Sequence, residues 1–237
     1  PDGAPLRRFS LHLVAVPWPV VWFSTEDSFH AASGLGLPAR SISNGDLLSS
    51  TGRVVCANGQ LIGRLGIMPI PPDIGLDAVH RFPLAELVSV RWPELWFSGE
   101  IDVFSERLGW LRHGDLLSTA GRVVRTNGDL IAQFGPQPQV PPVDYGLDAV
   151  TVSPDGRLLF SLEEGFFSER LGVRVTDGDL LCEDGTIFRT NDQLLARFQP
   201  TGPRPIDGFG LDAVYLWPHG EIWFSTEADF TDARLGP

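Results

Sequence analysis

An all-β fold built from repeated units is predicted by three recurrences in this chain. The phrase GLDAV begins at Gly75, Gly146 and Gly210, so its copies lie 71 and 64 residues apart. GDLL begins at Gly45, Gly114 and Gly178, with spacings of 69 and 64. A Phe-Ser pair stands at Phe23-Ser24, Phe97-Ser98, Phe160-Ser161 and Phe224-Ser225, each followed two residues later by Glu. A period of 64–71 residues exceeds the roughly 20 to 45 of a solenoid coil and suits a unit of about four strands stacked on copies of itself. The units run from about 10–74, 75–145 and 146–209, with 210–237 as a half unit, all within a single domain, 1–237. That makes about 3.5 repeats with two β-hairpins in each.

The third unit carries the pattern most plainly. In GLDAVTVSPDGRLLFSLEE, Leu147, Ala149 and Thr151 alternate with Asp148, Val150 and Val152, and Pro154-Asp155-Gly156 signals a turn before Leu158, Leu159 and Phe160. A β-hairpin is expected. The first unit repeats it from Ser10 to Glu26, with His12 in the Asp place and Pro-Trp-Pro at the turn, and the fourth carries Pro218-His219-Gly220. In the second unit the hairpin is eight residues longer, Gly75 to Phe97 against Gly146 to Phe160, and HRFPLAELVSVRWPEL is expected to project as a tip or loop. A carboxylate-rich loop then leads to GDLL. There a short apolar run, a Gly turn and a β-branched run (Arg53-Val54-Val55, Arg122-Val123-Val124, Thr186-Ile187-Phe188) predict a second hairpin. The next segment has two readings: Asn191 caps one helical turn through Gln193, Leu194, Leu195 and Phe198, or Asn58-Gly59 and Asn127-Gly128 turn into a fifth strand. The apolar spacing of DQLLARF does not alternate, which favours the helical turn or an irregular link. The linkers MPIPPDI, PQPQVPPVDY and QPTGPRPIDGF come next, and their prolines oppose further strand pairing.

Strands that are apolar on both faces need cover on both faces. A β-propeller, in which four-stranded antiparallel sheets pack face to face around an axis, supplies it. The stretch GLDAVTVSPDGRLLFS resembles the inner two strands of NHL-type and related propellers, while the GDLL and TN phrases resemble those of bacterial repeat proteins. The resemblance implies a β-propeller-like array and transfers no functional residue. Four copies of the first hairpin against three of the second leave an odd half. The ring is expected to close by pairing two chains as a homodimer, by continuation of the chain, or as a less regular ring; a compact barrel-like array is the structural alternative. An open terminal edge invites pairing, so either a dimer or an edge covered by its own linkers is expected.

Composition narrows the function classes. The net charge is −12, with 26 Gly, 20 Pro and 43% hydrophobic residues, and every basic residue is arginine. A nucleic-acid partner is not expected, because phosphate binding needs a basic face. The absence of lysine removes Schiff-base chemistry and a P-loop lysine. Cys56 and Cys182 occupy different places in their repeats, so two free thiols are expected. The most apolar stretch, Leu11 to Phe23, is short and holds Pro17 and Pro19, so no membrane insertion is expected. The chain begins PDGAP without an initiator Met, and a secreted or periplasmic, extracellular-type location is the expectation.

Four polar positions recur with the repeat: Asp77, Asp148 and Asp212; Ser24, Ser98, Ser161 and Ser225; Glu26, Glu100, Glu163 and Glu227; Asp46, Asp115 and Asp179. The Asp and Ser sets are expected to fix turns through backbone hydrogen bonds. Carboxylates crowd the loop after each FSxE strand, and Glu26, Asp27, Glu100, Asp102, Glu163, Glu164, Glu227 and Asp229 are the candidate metal ligands. Hard oxygen donors at that density suit Ca2+, with ordinary solvated surface as the alternative. Trp22, Trp96 and Trp223 precede Phe-Ser and are expected in the core. Trp18, Trp92 and Trp217 lie by the hairpin turns, where an aromatic stacks on a sugar ring or anchors a protein. The five histidines form no zinc motif, and no nucleophile elbow or phosphate loop occurs. The expected function is a non-enzymatic binding or scaffold module for a protein or carbohydrate ligand. The alternative is a propeller-type hydrolase acting on glycosides through channel carboxylates.

Overall fold

The apolar alternation of GLDAV and of the Phe-Ser run places one side of each strand against a neighbour, and the two strands pair as expected. The computed structural model describes residues 20–31, 40–70, 73–81, 94–137, 143–201 and 208–232. Its described part is all-β, with many small antiparallel sheets, three short α-helices and one 3-10 turn at Ala132–Phe134. In the second unit Val79–Arg81 pairs with Leu95–Phe97, which pairs with Leu116–Ser118, which pairs with Arg122–Arg125. The third unit repeats this four-stranded order with Val150–Val152, Leu158–Phe160, Leu180–Cys182 and Thr186–Arg189. Trp22–Phe23, Leu47–Ser49 and Arg53–Cys56 form a three-stranded sheet in the first unit. The fourth supplies only Ala213–Leu216 with Ile222–Ser225. The long tip of the second unit, together with His12, Trp18 and Trp92, lies outside the described residues.

The carboxylate-rich stretch between the second and third strands is more ordered than the loop expected from sequence. It is a hairpin of its own: Phe29–Ala31 with Arg40–Ile42, Val103–Ser105 with Gly109–Leu111, and Phe166–Ser168 with Val173–Val175. The repeated phrase FSERLG, Phe104 to Gly109 and Phe167 to Gly172, is its sequence signal. These hairpins also join the units. Ile67 bridges to Ser105, Pro136 to Ser168, and Pro200–Thr201 pairs with Thr231–Asp232. The chain therefore pairs briefly where the linkers start, contrary to expectation, with accepting carbonyls supplied just ahead of the prolines. Glu106 and Glu169 donate their backbone N–H to Gly66 O and Gly135 O. Ser105 and Ser168 add hydroxyl bonds to Leu65 O at 2.6 Å and Phe134 O at 2.5 Å.

The helical reading of the segment after the second hairpin holds at Asn58–Ile62, Asn127–Ile131 and Asn191–Leu195. The cap sits one residue earlier than expected. Thr190, not Asn191, accepts from Gln193 N at 3.2 Å, and Gln193 Oε1 accepts from Thr190 N at 3.1 Å, a reciprocal capping box. Asn191 is instead the first helical residue, and its own N–H donates to Asp179 at 2.8 Å.

Three apolar clusters form the core, each between neighbouring units. Leu47, Leu61 and Leu65 meet Leu76, Phe97 and Leu111; Leu116, Leu130 and Phe134 meet Leu147, Phe160 and Phe166; Leu159, Leu180 and Leu194 meet Leu211, Val214 and Leu216. No unit buries its apolar face alone. Each sheet is covered by the next, as stacked units require. Trp22 and Trp96 are half-buried at the margins of these clusters, and Trp223 is exposed, so the expected burial fails for the last unit. Both cysteines are free, Cys182 buried and Cys56 partly so.

Candidate functional site

The first strands of three units, Val79–Arg81, Val150–Val152 and Ala213–Leu216, stand side by side. Their entry turns deliver three carboxylates, Asp77, Asp148 and Asp212, to one place. Glu26, Glu100, Glu163 and Glu227, at the exits of the second strands, reach the same place, and with Glu164 and Thr226 they line a cavity of about 680 Å3. A second cavity of about 760 Å3 shares Glu26, Asp77, Asp148 and Asp212 and continues between apolar side chains that include Trp22, Val79, Val150 and Val214. The charges of Asp212 and Glu227 act on Glu26, so carboxylates of the first and last units face each other.

Glycine makes this convergence attainable. Gly75, Gly146 and Gly210 have φ of 70°, 66° and 65°, a left-handed backbone that side chains disfavour. A Cβ at each would also fall on the carboxyl group of Glu100, Glu163 or Glu227 respectively. The same glutamate thus lies over the same glycine in three units.

The recurring polar residues divide by role. Asp46, Asp115 and Asp179 are backbone anchors: each accepts from the residue three before it (3.3, 3.0 and 3.0 Å) and from Asn58, Asn127 or Asn191 N (2.9, 3.0 and 2.8 Å). Serine joins units. Ser98 Oγ donates to Leu147 O at 2.7 Å and Ser161 Oγ to Leu211 O at 2.8 Å, each crossing to the next unit. Ser225 donates instead to Asp212 at 2.7 Å. The GLDAV aspartates do not follow the backbone-anchoring expectation. Asp77 Oδ2 and Asp148 Oδ2 are buried without a hydrogen-bond donor among the described residues, and Asp148 is only 8% exposed.

Such crowding is electrostatically costly. Burial, followed by the charges of Glu100, Glu163, Glu26 and Asp212, pushes the Asp77 carboxyl up to about 8. Burial pushes Asp148 well above the carboxylate range, reinforced by the charge of Glu227 and a carboxyl-carboxyl contact with it. Glu26, Glu100 and Glu163 are also raised, burial being the first cause in each. His80, lining the second cavity, is held neutral by burial, at about 4.

The expected metal ligands are only partly brought together. Glu26, Glu100, Glu163, Glu164 and Glu227 line the acidic cavity; Asp27 and Asp229 are exposed and do not. Asp102 lies at the seam between the second and third units, accepting from Arg112 Nη1 at 2.6 Å and His113 Nδ1 at 3.0 Å. Asp102, His113 and Asp144 are the one group of three among the described residues whose ligand atoms all lie within 4.8 Å of one another. Oxygens sharing one Ca2+ at 2.3–2.6 Å lie within about 5 Å of each other, so the cavity carboxylates stand too far apart for a bare ion to gather three of them. Trp217 lines the second cavity, packed edge to face on Tyr215 at 4.9 Å and Trp223 at 5.0 Å, which occupies much of the ring surface a sugar would use.

No family model, curated protein or solved structure matches this chain. Among the described residues no helix is long and apolar enough to cross a membrane.

Proposed function

We propose that this chain is a non-enzymatic binding module whose four units close around one axis in the manner of a four-bladed β-propeller, with the ligand held in the axial cavity. The observation that carries the reading is convergence: carboxylates of all four units line one cavity. Its volume of about 680 Å3 falls in the range of small-molecule sites. The neighbouring first strands and the facing of Glu26 with Asp212 and Glu227 support closure within one chain. A buried carboxylate without a donor costs stability, so Asp77 and Asp148 are understandable as groups kept for a ligand.

A glycoside hydrolase is the second reading, favoured by one observation. Asp148, raised by burial, touches Glu227, and an acid of that kind beside a carboxylate is the pairing general acid-base catalysis uses. Closure is tested by a double-mutant cycle on Glu26→Gln and Glu227→Gln: a coupling above about 0.5 kcal/mol supports facing units, and strict additivity sinks it. The non-enzymatic reading is tested by aryl glycoside hydrolysis from pH 4 to 9. Turnover abolished by both Asp148→Asn and Glu227→Gln would overturn it.

A further inference from the structure

The lining of the acidic cavity is chemically one-sided. Among the described residues its polar groups are eight carboxyls and the hydroxyl of Thr226, with no basic side chain. A neutral sugar needs donors as well as acceptors from its site, and here the acceptors greatly outnumber the donors. An anion is repelled. What remains is a cation, and its size is set by the spacing of the carboxylates. They do not meet in threes within 4.8 Å, so a bare divalent ion on the axis would leave most of them unpaired. A cation with several charges spread along a chain reaches carboxylates of different units at once. Asp148 Oδ2, buried and without a donor, marks one place for a charged N–H; Asp77 Oδ2 marks another. The continuation into the apolar-walled second cavity, past Glu26, Asp77, Asp148 and Asp212, accommodates methylene segments between or beyond the ammonium groups.

We propose that the axial cavity binds a linear aliphatic polyamine, with one ammonium group paired to Asp148 and Glu227 and another to Asp77 and Glu100. This rests on the binding-module reading and names its ligand class. Each ammonium donates to carboxylates of one side of the ring, forming charge-assisted hydrogen bonds in a partly desolvated site. Tethering two or three charges makes later pairings intramolecular, so affinity should climb steeply with the number of amines.

Calorimetric titration of the full chain tests this, using spermidine, 1,4-diaminobutane, butylamine and CaCl2 as separate probes in one buffer of matched ionic strength. The expected result is one spermidine per chain, with affinity at least tenfold above the diamine and a further tenfold above butylamine. Asp148→Asn should weaken spermidine about tenfold, and Glu227→Gln should do the same if the first variant fails to fold. Equal heats for all amines, unchanged in the variants, mean diffuse attraction to a chain of net charge −12 and overturn the proposal. A single Ca2+ site that is lost in Asp148→Asn, with no amine preferred, would overturn the polyamine and keep the cavity as the binding site. No probe of any class sensitive to either substitution would overturn both.

Discussion

Removing one negative group from the crowded acidic cavity should stabilise the protein, and the gain should grow with pH. Asp77→Asn is the cleanest such change, because asparagine keeps the shape and cannot ionise. In the fold the Asp77 carboxyl titrates at about 8 rather than 3.8, through burial first and then the charges of Glu100, Glu163, Glu26 and Asp212. A group raised in this way helps the folded state below about 4, where it is protonated in both states. That advantage is lost progressively as pH climbs towards 8. Each pH unit in the window is worth about 1.4 kcal/mol, so the loss has a ceiling of roughly 6 kcal/mol. Hydration of the cavity and mobile counter-ions reduce this, and the expected advantage of Asp77→Asn at pH 9 is roughly 2 kcal/mol. At pH 4.5 it should be near zero. Urea unfolding of both proteins at half-unit steps from pH 4.5 to 9, at constant ionic strength and with EDTA, measures it. Parallel stability curves, or a variant that loses stability as pH rises, would refute an unscreened carboxylate cluster.

Four further outcomes follow from local contacts. Ser98→Ala removes the hydroxyl between Ala78 N and Leu147 O and should cost about 1–2 kcal/mol in urea unfolding, whereas Ser28→Ala, at an exposed site, should stay within about 0.5. Thr190→Ala should cost about 1 kcal/mol by the same assay, through loss of the cap on Asn191–Leu195. Burial lowers the tendency of His113 to hold a proton, but the Asp102 hydrogen bond and the charges of Asp144, Glu163 and Asp102 outweigh it, so NMR titration should place its pKa above 6.5 and Asp102→Asn should bring it down. His113 then stabilises below about 6.5 and loses that contribution as pH passes its folded value; His113→Asn should be worse than wild type at pH 5.5 and converge with it on the alkaline side. Gly146→Ala meets both a φ of 66° and the carboxyl of Glu163, and should cost about 2 kcal/mol or more, of which Glu163→Ala in the same chain restores a part.

Sequence periodicity was enough for the hairpins, and its failures have physical causes. GLDAV and Phe-Ser alternate and end at turn signals, so their pairing could be read directly. The second hairpins at Gly52, Gly121 and Gly185 were equally legible, since each turn demands φ near 80°. The inserted hairpins were not, because their strands are three residues long and alternate buried with exposed aromatics amid carboxylates, as in Val103, Phe104 and Ser105. Recurrence identified Asp77, Asp148 and Asp212 but not their role. A repeated Asp reads the same whether it accepts two backbone N–H groups, as Asp115 does, or converges with its counterparts on one cavity. Only the packing that sets Val79–Arg81, Val150–Val152 and Ala213–Leu216, each from a different sheet, side by side distinguishes the two.

The seams between units show why the acidic cavity is not chemically uniform. Asp46, Asp115 and Asp179 are the same residue because every copy of that turn has the same N–H groups to satisfy. The residue before the GDLL glycine has no such obligation and differs: Asn44, His113 and Asp177. Asn44 donates its amide to Glu100 of the next unit at 3.3 and 3.1 Å, which orients that carboxylate and leaves its charge whole. His113 sits between Asp102 and Asp144 and lends positive charge to Glu163 of the next unit. Glu100 and Glu163 therefore occupy equivalent places above Gly75 and Gly146 with unequal electrostatic surroundings. The negative potential of the cavity is weaker on the His113 side at the pH where that imidazole is protonated. An unsymmetrical polyamine, with its charges closer together at one end, would then lie with that end away from Glu163. His113→Asn, which copies the first seam, would remove the bias without touching any residue that lines the cavity.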